Sequence, residues 1–133
     1  MRVLALDYGS ARCGCAVSDP TGVLATPLEP IAAPASRRGL GQLRALVDEL
    51  GAERVVVGLP LTLAGGDSAQ TREAREFAQT LQRRLRGVPV ELYDERFTTR
   101  LAQLDRSGSS EDSRAAAHLL ASWLEARAGA ARG

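Results

Sequence analysis

Four acidic residues stand where predicted strands end or where the last predicted helix begins. Asp7 follows an apolar run, Asp94 and Glu95 follow another, and Asp112 opens the final helical pattern. Sites in open α/β sheets form outside the carboxyl ends of parallel strands, so these separate segments could bring their carboxylates together. Hard oxygen ligands with no His or Cys nearby select Mg²⁺ or Mn²⁺. The pattern therefore predicts a Mg²⁺ or Mn²⁺ site, and we expect two ions in it.

Such an acidic site suits the hydrolysis of a phosphodiester bond. Two ions about 3.5–4 Å apart can lower the pKa of an attacking water, hold the scissile phosphate and neutralise the leaving oxygen. No nucleophile from the protein is required. The hypothesis from these residues is a metal-dependent phosphodiesterase.

Each carboxylate also has a local interpretation, and spacing alone does not decide between the two. Asp7 could stabilise the turn at Gly9, Glu95 could pair with Arg96, and Asp112 could cap a helix. Their joint position at places where the predicted topology converges favours the catalytic interpretation.

Two arginines have the same ambiguity. Arg12, at the edge of a predicted hairpin near Asp7, could bind a substrate phosphate or balance the carboxylates in the metal-free protein. Arg96 could do either, and structural pairing is the favoured interpretation for it. Both arginines are candidate substrate-binding residues.

Hydrophobic periodicity predicts the elements that must position these residues. Extended segments with turn residues between them are predicted at Met1–Leu6, Arg12–Ser18, Val23–Leu28, Arg54–Leu59 and Val90–Tyr93. Helical spacing is predicted over Arg38–Leu50, from caps at Asp67 or Ser68 to Leu85, over a short Phe97–Leu104 segment, and from Asp112 onward. The order β-β-β-α-β-α-β-α predicts an α/β fold with a mixed five-stranded sheet and helices packed on it, in a single domain spanning residues 1–133.

Composition narrows the class of protein. The chain has 133 residues, 44% hydrophobic and 25% charged, with a formal net charge of +1. This charge lacks the strongly basic signature of a protein held to nucleic acid by charge alone, although a local basic patch is compatible with it. No apolar run approaches the roughly 20 residues of a membrane span, so we expect a cytoplasmic protein that does not bind membranes. Cys13 and Cys15 are expected to be reduced core thiols.

Four sequence blocks carry a resemblance to a known family. The opening LALDYGSARCGCAVSD resembles the start of the YqgF/RuvX family of ribonuclease H-like proteins. Three further blocks match in order: VVVGLPL at 55–61, YDERFTT at 93–99 and EDSRAAAHLLASWL at 111–124. Together these blocks extend the resemblance over nearly the whole chain.

The resemblance implies a ribonuclease H-like fold and a metal-binding acidic triad. Carried over by position, the triad falls on Asp7, Glu95 and Asp112, with Asp94 as a further candidate beside it. The implied role is maturation of the 5′ end of pre-16S ribosomal RNA, with structured precursor RNA or pre-ribosomal particles as partners. Some relatives are instead discussed as Holliday-junction resolvases, whose substrate is branched DNA.

Two departures from the family pattern stand out. Cys13-Gly14-Cys15 replaces the common Ile-Gly-Val, which changes core packing and leaves the acidic residues in place. The segment from Thr99 to Asp112 looks shorter than in many relatives, which leaves substrate contacts there open. The alternative functions are a resolvase acting on branched DNA and a noncatalytic ribosome-assembly or transcription-associated nucleic-acid-binding module. We expect a monomer or a homodimer, and a symmetric dimer would favour the resolvase.

Overall fold

A computed structural model of the protein describes residues 1–62, 64–97 and 111–132. Its strands are β1 (Val3–Asp7), β2 (Arg12–Ser18), β3 (Ala25–Ala32), β4 (Arg54–Leu59) and β5 (Val90–Asp94). Its helices are α1 (Arg37–Leu50), α2 (Ala69–Arg84) and α3 (Glu111–Arg132), and a single 3-10 turn spans Glu95–Phe97. Of the short helix predicted over Phe97–Leu104, all but Phe97 lies outside the described residues.

The five strands form one mixed sheet, which confirms the predicted fold class. The strand order is β3-β2-β1-β4-β5. β1 and β2 pair antiparallel, as do β2 and β3, whereas β4 runs parallel to both β1 and β5. The carboxyl ends of β1, β4 and β5 therefore meet at one edge of the sheet, where the sequence predicts the site.

Alternating side chains of the central strands enter two cores, one on each face of the sheet. Leu4 and Leu6 of β1 pack with residues of α1 and α2, such as Leu43 and Leu81. Neighbours on the same strands face the other way and pack against α3, and this second core includes Val3, Ala5, Val56, Leu119, Leu120 and Trp123. Because β1 and β4 are covered on both faces, they are continuously apolar, as a central parallel strand requires.

The third strand lies further along the chain than the pattern predicts. It spans Ala25–Ala32 instead of Val23–Leu28, and it includes both Pro27 and Pro30, the second of which was expected in a loop. β3 is an edge strand, where proline costs no ladder hydrogen bond if its nitrogen faces outward. Val23 and Leu24 instead belong to a turn in which the Asp19 carboxylate accepts hydrogen bonds from both of their backbone N–H groups.

Capping residues mark the boundaries of α1 and α2. Ser36 caps α1, and Gly51 ends it in the left-handed conformation at φ 65°. Ser68, one of the two predicted caps, forms a reciprocal capping box with Thr71 at the start of α2. Within the described ranges, no helix has both the length and the apolar character needed to cross a membrane.

Candidate active site

Two of the predicted acidic residues meet at the sheet edge. Asp7 is the last residue of β1, and Glu95 follows directly after β5 in the 3-10 turn. Their side chains share a hydrogen bond. Both residues line a cleft of about 200 Å³ whose wall also includes the turn at Tyr8 to Ser10 and the start of α2.

A glycine in β4 makes room for Glu95. Gly58 lies opposite Tyr93 in the register between β4 and β5. A Cβ at Gly58 would lie 2.5 Å from Glu95 Oε1 and 3.1 Å from its Cδ. The Glu95 carboxylate therefore lies against the backbone of the central strand, and from there it reaches Asp7.

A second glycine brings the start of α3 to the site. Gly14 of β2 pairs with Asp7 across the antiparallel ladder. A Cβ at Gly14 would lie 1.9 Å from the backbone oxygen of Asp112, so only glycine permits this approach. The Ser113 hydroxyl accepts a hydrogen bond from the backbone N–H of Cys15 at 3.3 Å, which fixes the helix start against β2.

Asp112 thus lies near Asp7 and Glu95, but its carboxylate forms an ion pair with Arg12. Arg12 Nε lies 3.5 Å from Asp112 Oδ2, with the two side chains 68% and 41% exposed. The charge of Asp112 nevertheless contributes to raising the pKa of Asp7. No set of three His, Cys, Asp or Glu side chains is already arranged to hold a metal ion within residues 1–62, 64–97 and 111–132.

The electrostatics of the cleft favour a bound cation. Burial, the hydrogen bond to Asp7 and the charges of Asp7 and Asp94 raise the pKa of Glu95 to about 8. Burial also raises the pKa of Asp7, and the hydrogen bond from Glu95 offsets part of that rise. The metal-free pair therefore holds a proton near neutral pH, because two partly buried carboxylates cannot both ionise side by side. An all-oxygen donor set with uncompensated negative charge fits Mg²⁺ or Mn²⁺.

Asp94 and Arg96 form a separate ion pair beside the site. The Arg96 guanidinium donates to both Asp94 carboxylate oxygens, with Nη2 to Oδ2 at 2.6 Å, and the Arg96 backbone N–H donates to Oδ1 at 2.9 Å. This ion pair lowers the pKa of Asp94. Arg96 therefore pairs with Asp94 and not with Glu95, the partner considered from the sequence, and its Nη1 faces Gly65 in the loop before α2.

The cleft includes residues that the strand-end rule does not identify. Gln70 and Glu73, in the first turns of α2, line the cleft, and the Tyr8 ring stacks on Phe77 with centroids 4.6 Å apart. Helical spacing could have identified Glu73, because it lies one turn before Phe77 and therefore on the same flank of α2.

The sequence is similar to one described family of proteins over most of its length. Residues 1–126 match the family model described as RuvX, Holliday junction resolvase. A protein of Mycolicibacterium paratuberculosis described as a pre-16S rRNA nuclease is 44% identical over 98% of this chain and 84% of its own length. A protein of Koribacter versatilis with the same description is 38% identical over 95% of this chain and 88% of its own length.

Solved structures agree on the fold. Thermus thermophilus RuvC in complex with a Holliday junction superposes with a TM-score of 0.67 at 19% identity, covering 97% of this chain and 96% of RuvC. The structure of RuvC from the same organism gives a TM-score of 0.63 at 18% identity, covering 97% of each chain. This likeness confirms the predicted ribonuclease H-like fold.

Proposed function

The chain belongs to the RuvX family, and we propose that it is a divalent-metal-dependent nuclease that hydrolyses phosphodiester bonds during 5′-end maturation of pre-16S rRNA. The substrate follows the names of relatives that share up to 44% of its residues over almost its full length. The observation that carries the chemistry is the hydrogen-bonded Asp7–Glu95 pair at the ends of two strands, with the start of α3 packed beside it.

In this proposal Asp7, Glu95 and Asp112 hold Mg²⁺ or Mn²⁺, as one or two ions. When bound, the cation would supply positive charge that lowers the pKa of an attacking water and neutralises the leaving oxygen. Glu95 must lose its proton before it can act as an anionic ligand. Asp7 contributes a second carboxylate from β1, and Asp112 brings a third from α3.

Two arginines at the site margin are proposed to contact the substrate. The Arg12 side chain is mostly exposed, and its ion pair with Asp112, at 3.5 Å, is long enough to exchange for a phosphate contact. Arg96 is held by Asp94 along one edge of its guanidinium, while Nη1 remains beside the Gly65 loop. Asp94 is therefore proposed to position Arg96, without being a metal ligand.

Cleavage of branched DNA is the second candidate function. The matching family model is itself described as a Holliday junction resolvase, and the same acidic site can hydrolyse either backbone. Phosphate contacts read charge and shape, so the site alone does not discriminate RNA from DNA. A resolvase must cut two strands, which favours a symmetric dimer for that activity.

A matched substrate assay separates these functions. The purified protein is incubated with precursor 16S rRNA and with a four-way DNA junction, each with Mn²⁺, Mg²⁺ or a chelator. We expect cation-dependent cleavage of the precursor RNA. Symmetric cleavage of the junction with intact RNA would assign the resolvase function, and binding of either substrate without cleavage would assign a noncatalytic module.

Asp7→Asn is the matched control for that assay, because it removes an anionic ligand at nearly constant volume. We expect it to abolish cleavage while leaving the circular dichroism spectrum unchanged. Since it also relieves repulsion between carboxylates, we expect the metal-free variant to melt at a higher temperature than wild type. Full activity of the folded variant would reject Asp7 as a ligand.

A further inference from the structure

A groove of about 410 Å³ separates α2 from β5 on the side of the helix away from the acidic cleft. Its apolar floor includes Ala78, Val90 and Leu92, and its rim carries Arg75 and Arg83. Among the described residues that line it, none is acidic. An apolar floor with a cationic rim suits an anionic ligand that also has flat apolar surfaces.

Charge on α2 is divided between its two flanks. Glu73 lines the acidic cleft together with Tyr8. Arg75 lines the groove on the opposite flank, two positions after Glu73. A helix turns about 100° per residue, so positions two apart point to well-separated directions. The groove is therefore electrostatically distinct from the cleft.

The two arginines on the rim of the groove make weak contacts. Arg75 Nη2 lies 3.1 Å from Asp67 in an ion pair whose side chains are 42% and 44% exposed. The buried Nε of Arg75 has no hydrogen-bond partner in the part of the chain that the structure describes. Arg83 donates a hydrogen bond to the Thr80 hydroxyl at 3.3 Å. Exposed contacts of this kind contribute little stability, so both guanidinium groups can turn to an anion.

The Gln82 side chain occupies two backbone groups where β5 begins. The Gln82 amide donates to the Val88 carbonyl at 3.0 Å and accepts from the Val90 N–H at 2.7 Å. These are backbone groups at the start of edge strand β5, where an added strand would have to pair. At this end of β5, the arginines and the apolar floor are therefore the groups left to recognise a ligand.

We propose that this groove binds a single-stranded segment of the nucleic-acid substrate, with phosphates on Arg75 and Arg83 and bases or sugars against the apolar floor. The proposal rests on the proposed nuclease function and extends it to substrate outside the cleavage site. β5 leads directly from the groove to Glu95, and its extended part, Val90–Asp94, spans about 13 Å.

Binding is tested with the full chain in the presence of a chelator, so that neither cleavage nor the metal site contributes. The probe is a fluorescein-labelled single-stranded oligoribonucleotide, and its fluorescence anisotropy is measured over a series of salt concentrations. The test variant is Arg75→Ala combined with Arg83→Ala. The control is Arg37→Ala combined with Arg44→Ala, which removes the same charge from exposed positions of α1.

We expect the groove variant to bind the probe on the order of tenfold more weakly than wild type. The slope of log K against log salt should become shallower by about 1.4, because each of the two lost phosphate contacts on a single strand contributes about 0.7. The control variant should keep the wild-type slope. Wild-type affinity and slope in the groove variant would overturn the proposal. A wild-type protein that binds the probe through the groove but cleaves nothing would refute the proposed function and leave the groove assignment standing.

Discussion

The hydrogen-bonded carboxyl groups of Asp7 and Glu95 distinguish this site from an ordinary surface cluster of carboxylates. Surface carboxylates stay ionised at neutral pH and form ion pairs with little net energy. Here burial is the largest cause that raises the pKa of both groups. Without a cation, a bound proton reduces the repulsion between the two carboxylates. A divalent cation would reduce the same repulsion and would therefore stabilise the site.

Stability of the metal-free protein should depend on the charge of Glu95. With a pKa of about 8 in the folded state against an ordinary 4.5, Glu95 keeps its proton at pH values where the unfolded chain has lost it. The free energy of unfolding should therefore fall as pH rises from about 4.5 to about 8. Glu95 is only partly buried, so after allowance for solvent screening we expect a loss of about 1–2 kcal/mol.

The measurement is urea unfolding in chelator at several pH values, for wild type and Glu95→Gln. The amide that replaces the carboxyl in this variant cannot titrate, so the variant should show a flatter dependence over this range. Parallel pH profiles for the two proteins would show that the Glu95 carboxyl is not perturbed.

Arg12 offers a second residue-scale prediction. Its exposed pair with Asp112 contributes little to folding, so Arg12→Ala should change the free energy of unfolding by less than about 1 kcal/mol. If Arg12 contacts a substrate phosphate, the variant should bind precursor RNA more weakly, with a salt slope reduced by about 1. Arg38→Ala, at an exposed position of α1, is the control. Unchanged substrate affinity and slope would leave Arg12 with only its pairing role.

The partners of the arginines could not be predicted from spacing. Asp94 and Glu95 are adjacent in sequence, yet one pairs with Arg96 and the other lies over Gly58. The chain passes from β5 into a 3-10 turn between them, which separates their side-chain directions. Strand-end positions were predictable for the carboxylates, but only the backbone path decides which of them reaches Asp7.

At the scale of elements, two close backbone approaches assemble the site. Gly58 in β4 accommodates the Glu95 carboxylate, and Gly14 in β2 accommodates the first turn of α3. Both glycines lie inside strands, where glycine weakens local structure and marks a close approach of another group. Their role here is to let a side chain and a helix start reach the sheet.

We expect Gly58→Ala to displace the Glu95 side chain and to reduce activity much more than it reduces stability. The added Cβ would lie 2.5 Å from Glu95 Oε1, which a side chain can avoid by moving away from Asp7. We expect cleavage to fall on the order of a hundredfold, with a stability cost of about 1–3 kcal/mol. Cleavage rates and urea unfolding of the same preparation give both quantities.

Gly41→Ala is the matched control. A Cβ at Gly41 would meet nothing within 4 Å, and the residue lies inside α1. This variant should cleave normally and gain about 0.5–1 kcal/mol from the better helix former. Equal activity of the two alanine variants would contradict the role assigned to Gly58.

Element boundaries were predictable where periodicity or caps are strong. The apolar periodicity predicts α1 to within one residue at its start and ends it at Leu50, and the β-branched run of β4 marks a doubly covered strand. β3 was misplaced because the segment around Pro30 has the composition of a loop, whereas an edge strand tolerates proline. That tolerance depends on strand order, which is a property of the sheet and not of the local sequence.

At the scale of the whole molecule, the site exists only because both faces of the sheet are covered. Asp7 ends β1 and Glu95 follows β5, and β4 lies between these two strands. Helix α3 packs on the face of the sheet opposite α1 and α2, and its first turn carries Asp112. Residues distant in sequence thus form one unit only in the folded chain. The proposed nucleic-acid groove lies on the other flank of α2, so one helix separates the acidic cleft from the basic groove.

In the proposed nuclease, Glu95 and Asp112 act with Asp7 as one metal-binding unit. This unit is tested by the cleavage rate of precursor RNA in Mn²⁺ for four folded proteins. These are wild type, Glu95→Gln, Asp112→Asn and the double variant. Each single variant should lose most of the activity, and the double variant should lose little more, since residues that act as a unit are strongly non-additive. Losses that multiply in the double variant would contradict a shared site.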